Sequence, residues 1–164
     1  MIVIDASTLA KFVLREENWE RVYELLSKET ISVDHVVKEV ANAIWKYYSI
    51  YKACSLDIAV KRFQLLRKII DEELISLESE LKYLDKAFEI ATQNNIPVYD
   101  ALYIAQAITR STPLATSDKR QANIAEKNQS TSNLHTLNPR EHGVDKAYEL
   151  LNAETLRPHV ERFK

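Results

Sequence analysis

Residues 1–12 read MIVIDASTLAKF. Ile2, Val3 and Ile4 make a short, largely β-branched apolar run that ends on the carboxylate of Asp5. Such a run predicts a buried strand at the very start of the chain. Ala6 and Ser7 follow, then apolar residues at helical spacing, and Ser7 is placed to cap a helix over 8–14. A core strand that stops on an acid raises the question of whether other acids arrive at comparable places.

Working outward, the pattern alternates. A helix is predicted over 19–27 and a strand at TISV, 30–33. Asp34 suits the cap of a long helix over 35–53, in which Val36, Val40, Ala43 and Tyr47 share one face. Ser55 suits the cap of a helix over 56–70, with Ile58, Phe63, Leu65, Leu66 and Ile69 as its apolar positions. ELISLE at 73–78 reads as a short strand, and 79–95 as an amphipathic helix stopped by Asn94 and Asn95. Pro97 opens a helix on VYDALYIAQAITR. PLATS at 113–117 reads as a strand, and Asp118 begins the helix DKRQANIAEKN. A last strand is expected at 133–137, then a helix near 144–152. Strands alternating with helices predict an α/β fold: a parallel sheet of four to five strands sandwiched between helices in three layers. Sheets of this kind carry their sites at the carboxyl ends of the strands, where Asp5 and Asp118 fall.

Composition narrows the function. A chain of 164 residues with 46% hydrophobic content is the size and make-up of one globular domain. Its one glycine, Gly143, rules out a glycine-rich phosphate loop. A formal net charge of -2 is not the footprint of a protein that binds nucleic acid through bulk charge, although clustered acids can mask basic residues elsewhere. Cys54 stands alone, so no intrachain disulfide or cysteine-based zinc site forms, and a buried thiol in a reducing compartment is the expectation. No membrane-length apolar run and no secretory pattern is visible, and a soluble cytoplasmic protein is the default expectation.

Two further acids join Asp5 and Asp118. Glu39 lies in the early turns of its helix, bordering the apolar stripe, and Asp100 lies in the first turn after Pro97. Both sit near helix N-termini, where the dipole favours negative charge. Taken singly, each has an ordinary reading as a cap or first-turn acid. Taken together, four carboxylates facing one crevice repel one another and raise one another's pKa. A hard divalent cation, Mg²⁺ or Mn²⁺, relieves that repulsion, since it prefers oxygen donors and keeps several waters.

The blocks VIDAST, VVKEVANAIWK, VYDALYIAQA and LATSDKRQANIA occur in this order and resemble the PIN domain, most of all the VapC toxins of toxin–antitoxin pairs. The resemblance spans residues 1–138, with 139–164 as a C-terminal helical extension rather than a second domain. It implies a ribonuclease that binds one or two Mg²⁺ or Mn²⁺ ions through Asp5, Glu39, Asp100 and Asp118, supported by Ser7, Asn42 and Thr116. It also implies an RNA substrate, an antitoxin partner and a homodimer. Lys11, Arg15, Lys46, Lys119 and Arg120 are the candidates for RNA phosphates. Trp45, Tyr47, Tyr48 and Tyr51 can stack on bases, or belong to the core or a dimer interface. Competing readings are a non-catalytic PIN-like binding module, a solitary RNA-processing nuclease, and an aspartate-nucleophile phosphatase. The last expects a second aspartate at position 7, where Ser7 stands.

Overall fold

The computed structural model describes residues 1–129. β1 (Ile2–Ile4), β2 (Thr30–Val33), β3 (Ser76–Glu78) and β4 (Leu114–Ala115) form one parallel sheet in the order β3-β2-β1-β4. All seven residues of β1 and β2 are buried: β1 is apolar throughout, while β2 alternates Thr30 and Ser32 with Ile31 and Val33, and the two buried hydroxyls donate to the Leu25 and Ile4 carbonyls. Among the described residues seven α-helices surround the sheet: α1 (Ala6–Leu14), α2 (Trp19–Leu26), α3 (His35–Ser49), α4 (Leu56–Asp71), α5 (Leu84–Asn94), α6 (Val98–Thr109) and α7 (Lys119–Gln129). α1 packs on α2, α3 and α4, while α6 packs on α5, α7 and the strands. The expected three-layer α/β architecture is what the chain forms. The strand expected at 133–137, the helix near 144–152 and the extension at 139–164 lie outside the described residues.

β1 is the pivot. The chain runs from β1 to β2 to β3 on one side and returns to place β4 on the other, so strand order reverses between β1 and β4. A crevice opens at such a switch point beyond the carboxyl ends of the strands. Asp5 leaves β1 there, and Thr116 leaves β4 there.

Several boundaries differ from the sequence reading. Asp5, not Ser7, caps α1: its carboxylate accepts the N–H of Thr8 at 2.9 Å. Asp34 makes no side-chain cap on α3, because its Oδ1 accepts the N–H of Glu80 at 3.0 Å and ties the end of β2 to the turn after β3. α3 stops at Ser49 rather than running to 53: Ile50 and Tyr51 both donate to the Lys46 carbonyl, and Lys52 takes a left-handed φ of 52°. The predicted helix over 79–95 divides into a 3₁₀ turn (Glu80–Lys82) and α5. On α4, Leu66 and Ile69 are core but Ile58 and Phe63 are exposed, and Cys54 is half-buried. Among the described residues no helix is long and apolar enough to cross a membrane.

A polar network fastens β3 to α6. Glu78, with a side chain only 13% exposed, accepts from Gln106 Nε2 at 2.9 Å and from Arg110 Nε at 3.1 Å. It also accepts from the Tyr83 hydroxyl and pairs with the Arg110 guanidinium. Removing a group that satisfies several partly buried donors costs more than the bonds themselves. Glu78→Ala should therefore destabilise the protein by about 3 kcal/mol. Urea titration should show this as a lower midpoint with an unchanged slope.

Candidate active site

Asp5 is fully buried, yet its carboxylate is well satisfied. Oδ1 accepts the Thr8 N–H at 2.9 Å. Oδ2 accepts the hydroxyls of Ser7 and Thr116, each at 2.7 Å. Burial pushes this carboxyl above the usual carboxylate range, and the Ser7, Thr116 and Thr8 donors pull it back toward the charged form. A carboxylate offers about four lone-pair sites, so three donors leave room for another ligand.

The two hydroxyls are themselves fixed. Ser7 Oγ accepts the Ser117 N–H at 3.0 Å, and Thr116 Oγ1 accepts the Asp118 N–H at 3.0 Å. Each hydroxyl receives a backbone proton and gives its own to Asp5, so its orientation is set from both sides. The segment after β4 is thereby laced to the end of β1. Asp118 is exposed and caps α7: its Oδ1 accepts the N–H groups of Arg120 at 2.7 Å and Gln121 at 3.1 Å.

Asp100, half-buried in the first turn of α6, is pushed up to about 6. Burial is the main cause, followed by the negative charges of Glu39, Asp118 and Asp5. Arg120 acts in the opposite direction, and its guanidinium is anchored on the Asn95 carbonyl at 2.6 Å and the Asn94 carbonyl at 3.2 Å. Four acids from β1, α3, α6 and the β4–α7 turn thus sense one another through Asp100.

Glu39 has a partner the sequence reading did not name. The buried hydroxyl of Tyr103 donates to Glu39 Oε2. Burial and the neighbouring charge of Glu39 hold the Tyr103 phenol far above its ordinary range, so it stays a donor. The available signal was spacing, since Tyr103 lies three residues after Asp100 and so faces the same way along α6.

Other predicted positions are less central. Asn42 is exposed on α3, and Lys119 is exposed at the start of α7. Arg15 sits at the far end of α1 from Asp5, with its guanidinium over the Trp19 ring at 4.1 Å. His35 Nδ1 lies 2.8 Å from Glu80 and its ring stacks near Tyr99, a structural setting. Lys11 and Lys46 both line a cleft that also touches Ser7 and Ser117.

Among the described residues, no three acidic, histidine or cysteine side chains form a ready-made metal cage. The donor set nonetheless fits a hard cation: all oxygen, with Asp100 under repulsion from three other acids. Mg²⁺ is commonly held by one or two carboxylates, several waters and substrate phosphates rather than by an all-protein cage.

Residues 2–127 match the family model described as the PIN domain. The chain belongs to the PIN-domain family. Within it, the chain is similar to ribonuclease VapC3 of Pyrobaculum aerophilum, with 29% identity over 123 residues that cover 74% of this chain and 92% of that protein. The likeness read from the four blocks is therefore what the comparisons show. All four candidate acids of this PIN domain fall inside the matched span.

Proposed function

We propose that this PIN domain is a metal-dependent ribonuclease that hydrolyses phosphodiester bonds in RNA and serves as the toxin of a toxin–antitoxin pair. The observation that carries the reading is the buried Asp5, oriented by Ser7 and Thr116, sharing its crevice with Asp100, whose proton affinity is raised by three other acids. The similarity to a ribonuclease of the VapC type supports the substrate class and the antitoxin partner. The homodimer remains part of the proposal.

Asp5 and Asp100 would hold the Mg²⁺ or Mn²⁺, with Asp118 and Glu39 completing the oxygen donors. When bound, the cation supplies a Lewis acid that eases ionisation of water and offsets charge gathering on the phosphodiester. The chain's own contribution is orientation. Ser7 and Thr116 hold Asp5 in one rotamer, and the Asp118 N–H in turn holds Thr116. Tyr103 donates to one oxygen of Glu39 and so fixes the carboxylate, whose charge Asp100 feels. In the net reaction water adds to phosphorus, the phosphorus–oxygen bond to the leaving nucleotide breaks, and the leaving oxygen gains a proton.

The test is cleavage of single-stranded RNA by the purified chain in Mn²⁺, beside an EDTA control and an Asp100→Asn preparation. Cleavage that is lost in both controls supports the assignment, and cleavage that survives either rejects it.

Tyr103→Phe keeps the ring in the core and deletes only the hydroxyl. It should weaken Mn²⁺ binding and lower the cleavage rate by roughly 10- to 100-fold, the usual cost of losing a partner that orients a ligand. Combined with Glu39→Gln, the two losses should be less than additive. Full additivity would mean that Tyr103 acts elsewhere.

A further inference from the structure

We infer that the cleft between α1 and α3, beside Ser7 and Ser117, is a nucleotide subsite: it takes one unpaired RNA base on its tyrosines and that nucleotide's phosphate on Lys11 and Lys46. The inference rests on the ribonuclease reading and specifies where the substrate lies.

The cleft has a volume of about 340 Å³ and is lined by Lys11 from α1, Lys46 and Tyr47 from the end of α3, Tyr51 from the turn that follows α3, and Ser7 and Ser117 from the site itself. Ligand pockets range from about 300 Å³ upward, so this one suits a small moiety such as a single nucleotide. Tyr51 is 67% exposed and Tyr47 half-buried, so one ring is free to move onto a base while the other is braced by the core. Two lysines on different helices meet the cleft, against the one acid Glu16. Ser7 donates to Asp5, and Ser117 donates to Ser7, so a nucleotide here is a direct neighbour of the acidic crevice.

The fold also sorts the aromatic residues of α3 and the turn after it, which sequence could not do. Trp45 and Tyr48 line a different groove, shared with α4, whereas Tyr47 and Tyr51 line the site-side cleft. Stacking on a ring requires a base with an open face, which single-stranded RNA offers and a duplex does not.

The experiment is fluorescence anisotropy of the full chain with a short fluorescein-labelled single-stranded RNA, in EDTA so that no cleavage intervenes. Tyr51→Ala should weaken binding about 5- to 100-fold, and Tyr51→Phe should restore it. Lys46→Ala should weaken binding and reduce the slope of log affinity against log salt by about 0.7, the loss of one phosphate contact on a single strand. Trp45→Ala should leave binding unchanged. Wild-type affinity in both Tyr51→Ala and Lys46→Ala overturns the inference, as does equal affinity for duplex RNA or no RNA binding by the wild type. A change of oligomeric state in Tyr51→Ala by sedimentation also overturns it, by making the tyrosines an interface between copies. Cleavage in Mn²⁺, measured separately, judges the ribonuclease reading, so the two can fail independently.

Discussion

Asp5→Asn should leave a folded protein whose RNA cleavage has fallen roughly 10³-fold, the scale of several kcal/mol of transition-state stabilisation lost with a metal-holding charge. The fold should survive because asparagine is as good a helix cap as aspartate, so the 2.9 Å bond from Thr8 can persist. Ser7 and Thr116 now donate to Oδ2, and their hydroxyls can turn to accept from an amide there. Both already accept a backbone N–H, so the adjustment is imperfect, and a stability loss of about 1 kcal/mol is expected. A thermal melt beside the cleavage assay separates the two effects. Wild-type cleavage by a folded Asp5→Asn protein would remove Asp5 from the chemistry and leave it a cap.

Asp100→Asn should do something rarer: abolish activity while stabilising the metal-free protein. The Asp100 carboxyl is raised from 3.8 to about 6 in the fold. A group whose folded pKa lies above its unfolded value adds stability below the unfolded value and loses that addition as pH rises through the folded one. The loss for Asp100 therefore runs from about pH 4 to about pH 6. Taken at face value the shift is worth about 3 kcal/mol. Asp100 is only half-buried, and solvent screening reduces this to about 1 kcal/mol. Urea titrations in EDTA at pH 4.5 and pH 7, values chosen to bracket roughly that window, should show wild type losing about 1 kcal/mol more than Asp100→Asn. Glu89, held low by Lys86, titrates in both proteins and cancels, whereas Asp5 is coupled to Asp100, so the difference between the two proteins reports the repulsion centred on Asp100. Added Mn²⁺ should reverse the ranking at pH 7, because it stabilises only a protein that binds it. Equal pH dependence in the two proteins would show that the repulsion at Asp100 is not felt.

That pairing of lost stability with gained function is what made the site legible. Asp5 at a strand end, Asp100 in a first turn and Glu39 beside an apolar stripe are each ordinary alone, and only their order along an alternating β/α pattern suggested convergence. The sheet was legible because β1 is buried on both faces and unmistakably apolar, and β2 sets Ile31 and Val33 beside only small hydroxyl residues. Element ends were harder to read because the chain has only one glycine. It places Arg15, Lys52 and Asn95 in left-handed backbone where glycine usually signals a stop, and of these only asparagine is a recognisable marker. The caps misled because a hydrogen-bonding side chain can serve a distant partner: Asp34 turns to Glu80, and Ser7 turns to Asp5. Tyr103 was hidden for a different reason. An aromatic residue on a helix as apolar as α6 reads as core, and its ring is core; only its hydroxyl belongs to the site.

The most direct test of the central claim, that acids from separate segments meet to share one cation, is calorimetric titration of Mn²⁺ into the RNA-free protein and into Asp5→Asn and Asp100→Asn. Saturable binding by wild type, weakened at least about tenfold by either substitution, is the predicted result. Binding that both variants retain at wild-type affinity, or no saturable binding by wild type, would contradict it.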